Sequence, residues 1–217
     1  KAKQSQGMYG KKTILFIGLV CMALFSLASC SEKEDTIDDY NNWQQKNDDY
    51  WTTLYNATQQ KVASGDSTWK CYLNWSLEGQ LPNISGSTLS YSPTDYIIVH
   101  VEKTGTGTVS PLYTDSVQVH YQGRLIPSET YTKGLIFDAS WTGDYNLETM
   151  QATGLYVKSV VDGFATALMH MHIGDRWTVY MPYRLGYGAQ KPQSSSVIQP
   201  YSDLIFDITL TDIIQKK

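Results

Sequence analysis

Apolar positions along the chain fall into two recurring spacings. From about Ile37 to Ala63, Trp43, Tyr50, Trp51, Leu54, Tyr55 and Val62 recur every three to four residues, with no Gly or Pro between them. That spacing predicts an amphipathic helix stopped by Gly65-Asp66-Ser67. A second helical pattern places Val161, Phe164, Ala165, Leu168 and Met171 on a single apolar face, ended by Gly174. Elsewhere the period is two. Val117, Val119 and Tyr121 alternate with Gln118 and His120, and Trp177, Val179 and Met181 alternate with Thr178 and Tyr180. Leu204, Phe206, Ile208 and Leu210 form one face of a third strand, with Ile205, Asp207 and Thr209 on the other. Tyr96 to Val101 is a β-branched run, and shorter strands are predicted around Lys70–Trp75 and Leu89–Tyr91. An antiparallel sheet with one short amphipathic helix on a face is an α+β arrangement. The first helix is an N-terminal extension whose aromatic stripe requires a cover, either the following domain or a second copy of the chain.

The N-terminal residues carry a targeting pattern. Lys11-Lys12 precede an apolar run from Thr13 to Ala28, shorter than the roughly 20 residues of a spanning helix. Leu27-Ala28-Ser29-Cys30 resembles a lipobox, and Met8 stands where an initiator would. Residues 1–30 are therefore expected to be a lipoprotein signal peptide, with lipid on Cys30 as the link to a membrane. Residues 31–40 are expected to be an acidic linker. Ser31 after the lipidated cysteine resembles lipoproteins sent to the outer membrane, and the cluster Glu32-Lys33-Glu34-Asp35 resembles surface-export signals. The expected location is the cell envelope, as an outer-membrane lipoprotein facing the periplasm or the surface. Cys21 would leave with the signal and Cys30 would carry lipid, so Cys71 would be the one thiol left in the mature chain.

Composition narrows the function classes. A net charge of −4 with no basic stripe argues against nucleic acid as a partner. Gly105-Thr106-Gly107 lacks the third glycine and following helix of a dinucleotide loop, and no HExxH or GxSxG pattern is present. His170 and His172, at i and i+2, point to different helix faces and do not form a metal site. No cofactor and no metal are implied.

Five segments in order carry a resemblance: Val119-His120-Tyr121-Gln122-Gly123-Arg124-Leu125; Phe137-Asp138-Ala139-Ser140; Val160-Val161-Asp162-Gly163-Phe164 through Ile173-Gly174-Asp175-Arg176; Leu185-Gly186-Tyr187-Gly188; and Leu204 to Leu210. Together they are similar to the FKBP-type peptidyl-prolyl cis-trans isomerases. The resemblance divides the mature chain into residues 41–92, an N-terminal helix plus short strands, and 93–217, an isomerase domain. It implies a twisted antiparallel sheet wrapped over one helix, with an aromatic pocket between them. By position it nominates Asp138, Tyr187 and Phe164 as catalytic, and Tyr121, Phe137, Val160, Val161, Val197, Ile198 and Phe206 as substrate-binding. Asp138 next to Phe137 would be costly to bury without a hydrogen-bond partner, and Tyr121 is the candidate.

The implied reaction is rotation about an X-Pro amide, whose barrier is roughly 18–20 kcal/mol. It needs neither nucleophile nor metal. The implied partners are proline-containing polypeptides, including exported proteins whose folding it would assist, and macrolide-type inhibitors. Three departures stand out. Phe164 replaces the family's pocket-floor Trp, and the basic residue that often follows the second motif falls at Gly143. Residues 142–156 are longer than in compact members, leaving Leu155 and Tyr145 competing for the flap position. These departures keep a second reading in view, a non-catalytic FKBP-like binding or chaperone module.

Overall fold

The structure is a computed structural model that describes residues 38–81, 88–193 and 195–214. The expected signal peptide, with Cys30, lies outside the described residues. The described elements are α1 (Trp43–Ala63), β1 (Trp69–Leu73), β2 (Tyr96–Lys103), β3 (Ser116–Leu125), β4 (Ile136–Ala139), β5 (Thr153–Tyr156), α2 (Asp162–His170), β6 (Arg176–Met181) and β7 (Leu204–Ile214). The strands form one antiparallel sheet in the order β1-β2-β6-β7-β3-β4, with β5 also pairing with β3. This is an α+β fold of the FKBP type. No strand forms at Leu89–Tyr91, where the chain is irregular up to a 3₁₀ turn at Pro93–Asp95. Pro93, which has no backbone N–H to offer a ladder, closes that short run.

The period-two pattern sets the inner face. Val99, Val119, Val179, Met181, Leu204, Ile208 and Leu210 have no exposed surface, and Leu125 has almost none. They pack with Phe164, Leu168 and Met171 in one core. Helix α2 lies close against β6, since a Cβ on Gly163 would stand 2.8 Å from the Met181 Cβ. The single apolar face expected for α2 is corrected by the structure. Gly163, Thr166 and Ala167 are buried as well, Gly163 against Met181 and Leu185 and Thr166 beneath chain from the N-terminal extension. The Trp75 backbone N–H donates to Thr166 Oγ1 at 3.2 Å, and the Tyr72 ring stacks on His170 at 4.1 Å. The helix also ends at His170 rather than Gly174, with Met171 already extended. Gly174 sits in the following turn, which Asp175 ties together by accepting from the Gly105 and His172 backbone N–H groups.

Helix α1 covers part of the outer face. Its buried residues are Trp43, Asn47, Trp51 and Thr58, whereas Val62 is 43% exposed. Polar anchors hold it. Trp43 Nε1 donates to Ser202 Oγ at 2.8 Å, Asn47 Oδ1 accepts from the Asp203 backbone N–H at 2.8 Å, and Trp51 Nε1 donates to the Pro93 carbonyl at 3.2 Å. The aromatic stripe is thus covered by the domain that follows it. Cys71 is half-buried on β1, accepts from Gln59 Nε2, and is pushed up to about 11 by burial, so it remains a thiol at neutral pH.

Candidate active site

The site is assembled where β3, β4, β5, β7 and the start of α2 converge. On β3, Tyr121 and Gly123 face inward. A Cβ on Gly123 would lie 2.6 Å from both Phe137 Cζ and Phe206 Cε1, so only glycine lets both rings approach the strand. The β3–β4 ladder shifts register between Gly123 and Arg124, which pair with Asp138 and Ile136 and leave Phe137 as the extra residue. Such a bulge re-aims side chains. Here it turns Phe137 and Asp138 toward the same side and sends Ile136 to the other.

These residues surround a cavity of about 350 Å³ lined by Tyr121, Asp138, Leu155, Ser159, Val160, Val161, Phe164, Tyr187 and Phe206. Phe164 is its floor, 3% exposed. The Phe164 ring meets Phe206 edge-on at 5.1 Å and Tyr121 edge-on at 6.0 Å. Phe137 lies behind this wall, edge-on to Phe206 at 5.5 Å. Edge-to-face contacts of this kind fix ring orientation as well as burying area.

Polar groups sit at the rim. Tyr121 donates its hydroxyl to Asp138 Oδ2 at 2.8 Å, the pairing expected from sequence. Burial first, then the Asp138 carboxylate, pushes the Tyr121 phenol up to about 12. Tyr187 is 37% exposed at the mouth, and burial together with Asp138 raises its phenol too. Both tyrosines therefore remain donors at neutral pH. No basic side chain pairs with Asp138 among the described residues, consistent with Gly143 at the position where the family often has one.

The structure brings Tyr121, Asp138, Val160, Val161, Phe164, Tyr187 and Phe206 together around one cavity. It does not bring all the nominated residues there. Ile198 is 2% exposed and belongs to the core, and Val197 packs half-buried against that core. Leu155 on β5, and not Tyr145, reaches the cavity. Tyr145 is on the outer face, under the Arg176 guanidinium at 3.7 Å and bonded through its hydroxyl to Thr209 Oγ1. Ser159 is a lining residue that sequence reasoning missed. It lies in a 3₁₀ turn, Val157–Ser159, that no periodicity announces. His172 is near Ser110 and Asp175, and His170 near Glu78. No group of three or more metal-ligating side chains occurs among the described residues.

A twisted antiparallel sheet over a short helix, with an aromatic cavity at one end, defines the class of FKBP-type prolyl isomerase domains. Residues 107–211 match the model of the FKBP-type peptidyl-prolyl cis-trans isomerases. The chain is 36% identical over 109 residues to the macrophage infectivity potentiator of Trypanosoma cruzi, covering 50% of this chain and 48% of that protein. It is 36% identical over 107 residues to the peptidyl-prolyl cis-trans isomerase Mip of Coxiella burnetii, covering 49% and 40%. Against the crystal structure of a peptidyl-prolyl cis-trans isomerase from Pseudomonas syringae, the identity is 31% and the TM-score 0.44, over 55% of this chain and 76% of that one. The chain thus spans about half or less of the length of these two curated relatives.

Proposed function

We propose that the protein catalyses cis-trans isomerisation of X-Pro bonds in polypeptides, and that the cavity around Phe164 is where it does so. The observation that carries this reading is the cavity itself, walled by Tyr121, Phe164 and Phe206 and edged by hydroxyl donors. A planar amide owes its stiffness to resonance, which separates charge between oxygen and nitrogen. The twisted amide has lost that separation, so an apolar wall receives it at lower cost than water does. The proline ring would rest on Phe164, with Leu155 and Val161 closing the sides. Tyr187 at the mouth would donate to a substrate carbonyl and fix the chain beyond the ring. Asp138, held by Tyr121, orients the polar side of the pocket. Each 1.36 kcal/mol removed from the barrier is about tenfold in rate.

The test is a protease-coupled isomerisation assay on the purified protein with a proline-containing tetrapeptide, alongside Asp138→Ala. Turnover well above buffer, reduced by the substitution, supports the reading. A rate equal to buffer with tetrapeptide binding retained would make the domain a binding module instead. By the same family likeness the cavity would accept macrolide-type inhibitors, read by their displacement of the tetrapeptide. The N-terminal pattern supports lipid on Cys30 and an outer-membrane position in the envelope, where clients would be exported proteins. Incorporation of labelled fatty acid that survives Cys30→Ala would contradict that placement.

A further inference from the structure

On the opposite side of the same sheet lies a second and larger hollow, about 520 Å³, that the isomerase reading does not use. It is lined by Tyr50 of α1, Gln122 and Arg124 of β3, Lys133 and Ile136 around the start of β4, and Tyr180 and Ile205 on β6 and β7. Among the described residues no carboxylate lines it, in a chain whose net charge is −4. Hydrogen-bond donors dominate: a guanidinium, an ammonium and two phenols, with Gln122 the one side-chain amide among them. Burial raises both phenols, so Tyr50 and Tyr180 keep their protons and remain donors.

Arg124 can be compared with Arg176 on the same outer face. Arg176 is bonded through Nε and Nη2 to both oxygens of Asp207 and stacks over Tyr145. Asp207 is therefore fully engaged by Arg176. Arg124, half-buried and flanked by Ile205 and Ile136 in the ladder, has no ion pair among the described residues, and neither has Lys133. A guanidinium that is partly withdrawn from water without a counter-charge favours an incoming anion, and its fork matches a carboxylate in two-point contact. The register shift in β4 supplies the rest of the geometry. Ile136 borders this hollow while Asp138 borders the isomerase cavity, so the terminal strand of the ladder separates the two. An extended chain can run along such an edge.

We propose that this outer cleft is a second polypeptide subsite, which takes a glutamate or aspartate side chain of an acidic segment on Arg124 and Lys133. The choice of a polypeptide rests on the function proposed above, so the test avoids proline. The ¹⁵N-labelled full chain is titrated with an end-blocked, proline-free hexapeptide carrying two glutamates, with its glutamine counterpart, and with inorganic phosphate. The expected result is that the glutamate peptide shifts the amide signals of Gln122, Arg124 and Ile205, more weakly as salt is raised. R124Q together with K133Q should weaken binding at least tenfold while the thermal midpoint stays within a few degrees. K133Q alone, at an exposed position, should weaken it severalfold with no effect on folding. Equal binding of the glutamine peptide, or affinity unchanged in the variants, overturns the proposal. A response to phosphate without one to the peptide overturns it too, because the cleft would then hold only small anions.

Discussion

The two faces of the sheet are built by different physics. The inner face is apolar throughout, closes on α2, and leaves a cavity because four aromatic rings meet edge-on and cannot fill the corner between them. The outer face alternates hydrophobic with polar groups, and its cover α1 is fastened by directional bonds from Trp43, Asn47 and Trp51. Non-directional burial tolerates small shifts, whereas a buried hydrogen bond is lost outright when either partner goes. Substitutions on the inner face should therefore act through shape and those on the outer face through unpaired polar atoms.

The largest effect should come from crowding the inner face. Gly123→Val puts methyl groups where Phe137 and Phe206 already stand. It should cost about 3 kcal/mol of stability, the high end for overpacking, and remove activity. Denaturant unfolding checks it against Gly154→Ala, whose added Cβ would meet only the Gln118 side chain at 3.4 Å and should change little.

Asp203 offers the next test, on the outer side. Its Oδ1 accepts from the Tyr183 backbone N–H, while Oδ2 is buried without a partner, and burial pushes its carboxyl from 3.8 up to about 8. Asp48 raises it further, and the Tyr183 bond pulls the other way. Because the folded state then holds a proton that the unfolded chain has released, stability is full below about pH 4 and falls until about pH 8. Thermal melts across pH should show this decline and show it flattened in Asp203→Asn.

Asn47→Ala is smaller but separates the faces most cleanly. It strips the acceptor from the Asp203 N–H and the donor from the Trp43 carbonyl. A loss of about 1–2 kcal/mol is expected. Tetrapeptide isomerisation should stay within twofold of wild type, since the inner cavity touches neither group. A large fall in turnover without unfolding would show that the faces are coupled through β7.

The same contrast explains what could be read from the chain. The inner-face strands and the α2 residues were visible as periods of two and of three to four, because each element's burial repeats within a few residues. Tyr121 with Asp138 was legible because a carboxylate among apolar neighbours demands a donor. The rest depended on distant partners. Asn47 and Asp203 are 156 positions apart, and nothing near either residue signals the bond. Part of the second buried face of α2 is created by Tyr72 and Trp75, which carry no mark of that role in sequence. Leu155 displaced Tyr145 at the cavity because Tyr145 finds a cation and a hydroxyl on the other face. Ile198 lies next to Val197 in a loop with no period to orient either, and the core took Ile198.

Exchange NMR of a proline-containing tetrapeptide, with wild-type protein and with Tyr187→Phe, tests the central claim most directly. Tyr187 is at the cavity mouth and partly exposed, so removing its hydroxyl leaves the fold intact. Loss of one hydrogen bond to the substrate should slow cis-trans exchange about tenfold, corresponding to about 1.4 kcal/mol. Exchange accelerated equally by both proteins would contradict the assigned role of the cavity mouth, and exchange no faster than in buffer would contradict the isomerase itself.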